Sequence, residues 1–174
     1  TRRWRNLAKP TIAEVHGKCI AGGLMLAWAC DLIVASKDAE FCDPVVTMGV
    51  CGVEWFVHPW ELGPRKAKEL LFTADSWSAR EAESFGMVNR VYPREALAQS
   101  VMEMARKIAA KPSFALKMTK EAVNRSVDLM GQQSGIDQAF GLHQLCHAHN
   151  MLQFGTGIDP MGMPGAVANK PVKA

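Results

Sequence analysis

The sequence predicts an α/β fold with a helical C-terminal extension. Three observations carry that reading. Short β-branched, apolar runs alternate with helical-period segments over the first ninety residues. Beyond residue 93 the strand patterns stop and three helix patterns follow one another. The composition, 48% hydrophobic and 21% charged over 174 residues, is that of one ordinary globular domain. A chain of this length can bury about two thirds of its unfolded surface.

"TIAEVH" (11–16) follows Pro10 and reads as a strand. Gly17 opens a turn, and from Gly22 the spacing of Leu24, Leu26, Ala27 and Cys30 predicts a short buried helix. "DLIVAS" (31–36) is apolar throughout, as in a strand covered on both faces. "AEF" (39–41) is a further short strand. Residues 43–65 hold Pro44, Gly49, Gly52, Pro59, Gly63 and Pro64, and are expected to be a long irregular segment of the kind that carries function. Arg65–Phe72 is expected to be helical. Ser78-Ala-Arg-Glu81 is a capping box opening a helix that stops at Gly86. "MVNRVY" (87–92) is expected as a strand. Pro93 starts a helix, Pro112 starts another with Ala115, Met118 and Ala122 on one face, and a third covers about 134–152. The tail from Gly155 is rich in Gly and Pro and is expected to have no fixed structure of its own.

A net charge of +3 is too small to argue for nucleic acid, and no run of five or six like charges forms a binding tail. Arg2-Arg3-Trp4-Arg5 is read as solvated surface. The longest apolar run, Cys19–Cys30, is too short for a bilayer. With no signal peptide visible, the expectation is a cytoplasmic protein without a membrane partner. The five cysteines contain no CxxC pair, so buried reduced thiols are expected and not a disulfide framework or zinc knuckle. Thr1 is not a start methionine, and an N-terminal part is expected to lie outside this sequence.

"HGKCIAGGLMLAWACD" (16–31) sets paired glycines between two apolar runs, where a strand hands over to a helix. Such a pair serves either close strand–helix packing or close approach of a ligand to the backbone. The stretch "KPTIAEVHGKCIAGGLMLAWACDLIVASKDAEF", followed by "LGPRKAKELLFTADSWSAREAESFGMVNRVYP", resembles the enoyl-CoA hydratase/isomerase (crotonase) superfamily. The resemblance covers about Lys9–Val127, whereas residues 143–174 match poorly. It implies a crotonase-like ββα spiral core with a C-terminal helical trimerisation segment. On that basis residues 1–92 are the C-terminal portion of the spiral core, 93–154 the helical oligomerisation segment and 155–174 a Gly/Pro-rich tail. It also implies an acyl-coenzyme A thioester as substrate, no cofactor beyond that coenzyme A, and a homotrimer or hexamer.

The family stabilises an enolate formed from the thioester. Backbone N–H groups aimed at the enolate oxygen are worth a few kcal/mol each, and a helix N-terminus supplies them. Matching motifs assigns that N–H to Gly22, with Gly23 beside it in the substrate site. The family's second donor lies in an Ala/Gly-rich loop that would precede residue 1.

Hydratases of the family share one water between two glutamates. Those positions here are Met25 and Val45, the latter in "FCDPV", and neither side chain transfers protons. Both are carried as substrate-lining positions. Glu54, in "GVCGVEW", falls within a residue or so of an aspartate used by other branches. Between Val53 and Trp55 it is expected to be desolvated and therefore a better base; otherwise it pairs with Arg65 or another base. Asp43 is a second candidate, although Asp before Pro often bonds only to nearby backbone. His58 is more often a structural histidine. Trp55, Phe56 and Trp60 are core by default and, in this family, border the acyl pocket. His143, Cys146 and His147 share a helix face; with no third element, a polar subunit contact is expected and not a metal. Two functions remain open: an acyl-CoA enzyme of the enoyl-CoA hydratase/isomerase kind, and a catalytically silent acyl-CoA-binding or oligomer-forming paralogue.

Overall fold

Two parallel ladders grow side by side, and the first four strands feed them alternately. The computed structural model describes residues 1–162. After a short helix α1 (Arg2–Arg5), β1 (Ile12–Val15) enters one sheet and β2 (Lys18–Ile20) the other. Helix α2 (Gly22–Trp28) returns the chain to β3 (Leu32–Ser36) beside β1, and β4 (Glu40–Cys42) then lies beside β2. Ile12 pairs with Leu32 and Lys18 with Glu40, so one turn of the spiral takes 20 to 22 residues. This is the repeated ββα turn that the resemblance implies. Strand β6 (Arg90–Tyr92) extends the first sheet in parallel, and β5 (Trp77–Ser78) closes the second antiparallel to β4.

Several elements depart from the sequence reading. Strands β2 and β5 were not foreseen, because two or three residues carry no period. The predicted strand 87–92 shortens to β6, since Met87 and Val88 are core residues of a turn. The segment 43–65 is not wholly irregular: it contains a 3-10 turn at Val45–Met48 and helix α3 (His58–Leu62). Helix α4 (Pro64–Thr73) follows, then α5 (Ala79–Ser84), whose capping box is formed as expected by Ser78 and Glu81.

The C-terminal part comprises α6 (Arg94–Ala109), α7 (Ser113–Leu129) and α8 (Gln132–Phe154). No residue of α7 is buried. Its predicted apolar face, Ala115, Met118 and Ala122, is exposed. The inward flank is instead Leu116, Lys120 and Asn124, because polar anchors set the rotation of the helix. Lys120 Nζ lies 2.8 Å from Asp31, which also accepts from Thr11 N and Oγ1 at the start of β1. Arg5 is likewise not solvated surface. It is nine-tenths buried and forks onto Asp128 of α7 at 2.9 and 3.2 Å.

Residues 155–162 also depart from the expectation of a structureless tail. Asp159 N donates to Met48 O at 2.8 Å, and Gly162 lies so close to Thr47 that a Cβ would meet its carbonyl at 2.0 Å. The remainder of the expected tail, 163–174, lies outside the described residues. Among the described residues no helix is long and apolar enough to cross a membrane.

Helix α8 docks on the 43–65 segment through Gly135, where a Cβ would stand 2.5 Å from the Trp60 ring. Two effects oppose each other in Gly135→Ala. Helix propensity favours Ala by about 1 kcal/mol, while overpacking against a rigid indole costs about 1–3 kcal/mol. The clash is expected to win, and the variant should unfold at a lower urea midpoint than the wild type.

Candidate active site

The handover from β2 to α2 is made by Ala21, at φ 46° and ψ −105°. Its N–H donates to Cys42 O at 3.0 Å, tying the turn to the neighbouring strand. The next amide, Gly22, is the first of α2 and so has no intrahelical acceptor. It makes no backbone hydrogen bond among the described residues, and the residue is exposed. A Cβ placed there would meet nothing within 4 Å. Gly22 therefore presents a free donor with the positive end of a short helix behind it. Gly23 is also exposed, packs beside Cys19 Sγ and lines an open groove with Val15 and Leu26.

Met25 stands one turn on. Its thioether, a weak acceptor, takes the Trp55 N–H at 3.4 Å and bridges α2 to the 43–57 loop. Val45 is 8% exposed and belongs to the main core cluster. Neither position offers a proton.

Asp43 is buried at 2% exposure, and its carboxylate is fully engaged. Oδ1 accepts from Val45 N at 3.3 Å, and Oδ2 accepts from Val53 N at 2.9 Å. Oδ2 also lies 2.9 Å from His58 Nε2. A carboxylate already holding two amides acts as the acceptor, so Nε2 carries the proton. His58 is 1% exposed, sits edge-on to Trp28, and has no partner at Nδ1 among the described residues. Asp43 thus has the local-backbone role its residue type allows, extended to a buried histidine that no sequence pattern joins to it.

Glu54 departs from its expected setting. Its side chain is 49% exposed, not desolvated, and its neighbour is a base other than Arg65, His143 Nε2 at 3.8 Å, as the alternative reading allows. It borders a surface hollow with Arg2, Trp55, Ile136 and Phe140. Gly22 does not line that hollow. Trp55, which lines it, is 3% exposed.

The polar face of α8 was expected at a subunit contact; it packs internally. His143 Nδ1 donates to Gly52 O at 2.8 Å, and Asn150 Nδ2 donates to Gly49 O at 3.1 Å. His147 contacts His143 and Gly157 O. Among the described residues no group of three or more His, Cys, Asp or Glu is placed to hold a metal ion. All five cysteines are free thiols. Cys19 and Cys42 are buried, whereas Cys30, Cys51 and Cys146 are only half-buried.

One feature gave no sequence signal. A cavity of about 440 Å³ lies beneath α7, lined by Trp28, Trp55, Val57, Leu116 and Val123 and by a single unpaired carboxyl, Glu61. Burial pushes that carboxyl up to about 7. A glutamate on a five-residue helix looks like any surface acid until the helix's packing is known.

Residues 1–161 match the family model for enoyl-CoA hydratase/isomerase. The chain belongs to the enoyl-CoA hydratase/isomerase family. EchA13 of Mycobacterium tuberculosis is 57% identical over 150 residues, covering 86% of this chain and 47% of that protein. A short-chain-enoyl-CoA hydratase of Clostridium acetobutylicum is 37% identical over 142 residues, covering 79% of this chain and 52% of its own. The crystal structure of a probable enoyl-CoA hydratase from Mycobacterium smegmatis superposes with a TM-score of 0.89 at 51% identity, covering 90% of this chain and 65% of that one. The chain therefore has the crotonase fold, and it spans about half the length of the curated relatives it matches.

Two predictions follow from the family's helix entry and from the cavity. Ala21, at φ 46° and ψ −105°, occupies a backbone region sparsely populated by L-residues, at a cost of about 1–3 kcal/mol. Ala21→Gly should therefore raise the urea midpoint by the equivalent of about 1 kcal/mol. For Glu61 the folded carboxyl titrates above its ordinary value of 4.5, so the folded chain holds a proton that the unfolded chain has released. Stability is full below about 4.5 and falls as pH rises through about 7. Between pH 5 and pH 8 the wild type should lose on the order of 2 kcal/mol more than Glu61→Gln, as read from paired denaturation curves.

Proposed function

We propose that this chain recognises an acyl-coenzyme A thioester and that the Gly22 N–H binds the thioester oxygen as negative charge develops on it. The observation that carries the reading is a free, exposed amide at the first turn of α2, in the motif where this family has its oxyanion donor. A donor held in place by a strand–helix turn needs no reorganisation when the enolate forms, which is why such groups are worth a few kcal/mol. The two-glutamate route of hydration does not fit these residues. Met25 is occupied as an acceptor for Trp55 N–H, and Val45 is core. Enolate chemistry that needs a single base, such as double-bond isomerisation, is the better match.

A second reading is favoured by one observation. Glu54, the acid best suited by sequence to serve as that base, faces His143 and a surface hollow that Gly22 does not line. On this reading the chain binds the thioester without turning it over.

Both readings are tested by titrating the protein with an enoyl-CoA in a calorimeter and assaying hydration and isomerisation on the same samples. Saturable binding is expected, with hydration lower than isomerisation. Met25→Glu should raise hydration at least tenfold, because a positioned acid or base contributes about 10²–10⁴ and the Trp55 N–H is already in place to orient the carboxylate. Binding without turnover selects the silent reading. No binding of any acyl-CoA would remove both.

A further inference from the structure

Helix α8 and the loop 48–52 run antiparallel and are joined residue by residue. His143 holds Gly52 O, and Asn150 holds Gly49 O at 3.1 Å and Met48 O at 3.3 Å. Cys51 lies between Gly49 and Gly52 on the loop, and Cys146 lies between His143 and Asn150 on the helix, so both fall between the same two anchors. One turn beyond His143 on the helix is Cys146, and one residue back from Gly52 on the loop is Cys51. The two anchors set these thiols on facing segments, and the Cys146 thiol is close enough to act electrostatically on that of Cys51. Both residues are half-buried, so a small reagent can reach them.

We propose that Cys51 and Cys146 are an oxidative modification site that closes to an intramolecular disulfide on reaction with a low-molecular-weight disulfide. One thiol loses its proton, and its sulfur attacks the reagent's S–S bond, forming a mixed disulfide and releasing one reagent thiol. The second protein sulfur, also deprotonated, attacks the protein sulfur of that mixed disulfide and releases the other reagent thiol. The two protein thiols are oxidised, the reagent is reduced to two thiols, and the two protons leave with them.

The surroundings set the rate. Desolvation and the neighbouring Cys146 both push the Cys51 thiol above its ordinary range, so little thiolate is present at neutral pH. Closure is therefore slow near pH 7 and speeds up as pH rises. Asp43 acts on Cys51 from the loop side, His143 and His147 share the α8 face with Cys146, and Glu54 approaches His143. The product would add a covalent tie between α8 and the loop that carries Val45, Glu54 and Trp55, beside the hydrogen bonds already there.

The test uses the full chain incubated with excess oxidised glutathione at pH 8.5. Free thiols are counted by a maleimide mass shift, and the linkage is mapped by non-reducing peptide mass spectrometry. The expected result is a fall from five alkylatable thiols to three, a single Cys51–Cys146 peptide, and reversal by dithiothreitol. The closed form should melt about 5–15 °C higher, as closure of a long loop implies. Cys51→Ser and Cys146→Ser should each abolish the bridge. Cys30→Ser, which leaves the pair intact, should keep it and guards against a variant that merely misfolds. Retention of all five thiols, glutathione remaining on Cys51 or Cys146, a bridge to any other cysteine, or a disulfide between two chains would each overturn the proposal.

Discussion

The Asp43 carboxylate is the constraint on which the candidate site rests. It lies out of water and holds two loop amides and one imidazole, closing the chain from residue 43 to residue 58 upon itself. A buried carboxylate is costly unless its lone pairs are matched by donors, and here three donors meet it. Each buried amide it satisfies would otherwise carry a penalty of about 1–3 kcal/mol. The closed loop then presents the Trp55 N–H to Met25 and the Gly52 carbonyl to His143. One acid thereby links α2 on one side to α8 on the other.

The chemistry available follows from that linkage. With the loop fixed, position 25 faces a backbone donor, and the thioether there answers it weakly. Position 45 faces inward and contributes volume to the core. The acids that remain are held away from the Gly22 amide. Asp43 is consumed by the loop, Glu54 is turned toward α8, and Glu61 stands alone in a cavity where burial favours its neutral form. The strained Ala21 carries the other half of the site: its positive φ turns β2 into α2 and leaves Gly22 as the first amide without an acceptor.

Elements with a strong local signal were legible in the sequence. The apolar run of β3, the capping box of α5 and the helix spacing of α6 each follow from neighbours a few residues apart, and propensity and capping act at that range. Strands β2 and β5 were not legible, because two or three residues become a strand only when a partner ladder lies beside them. The rotation of α7 was misread for a related reason. Salt bridges from Arg5 and Lys120 to residues about ninety or more positions away outweigh a modest apolar stripe.

By itself the sequence determined the family, the Gly22 motif and the lack of acids at positions 25 and 45. Each is a matter of which residue stands at which place along the chain. Only the tertiary structure decided that Asp43 binds His58, that Glu54 is exposed beside His143, that Glu61 lines a cavity and that Cys51 meets Cys146. These are juxtapositions across 15 to 95 residues or properties of a local dielectric. Both depend on how helices turn about their axes as they pack, which no local pattern encodes.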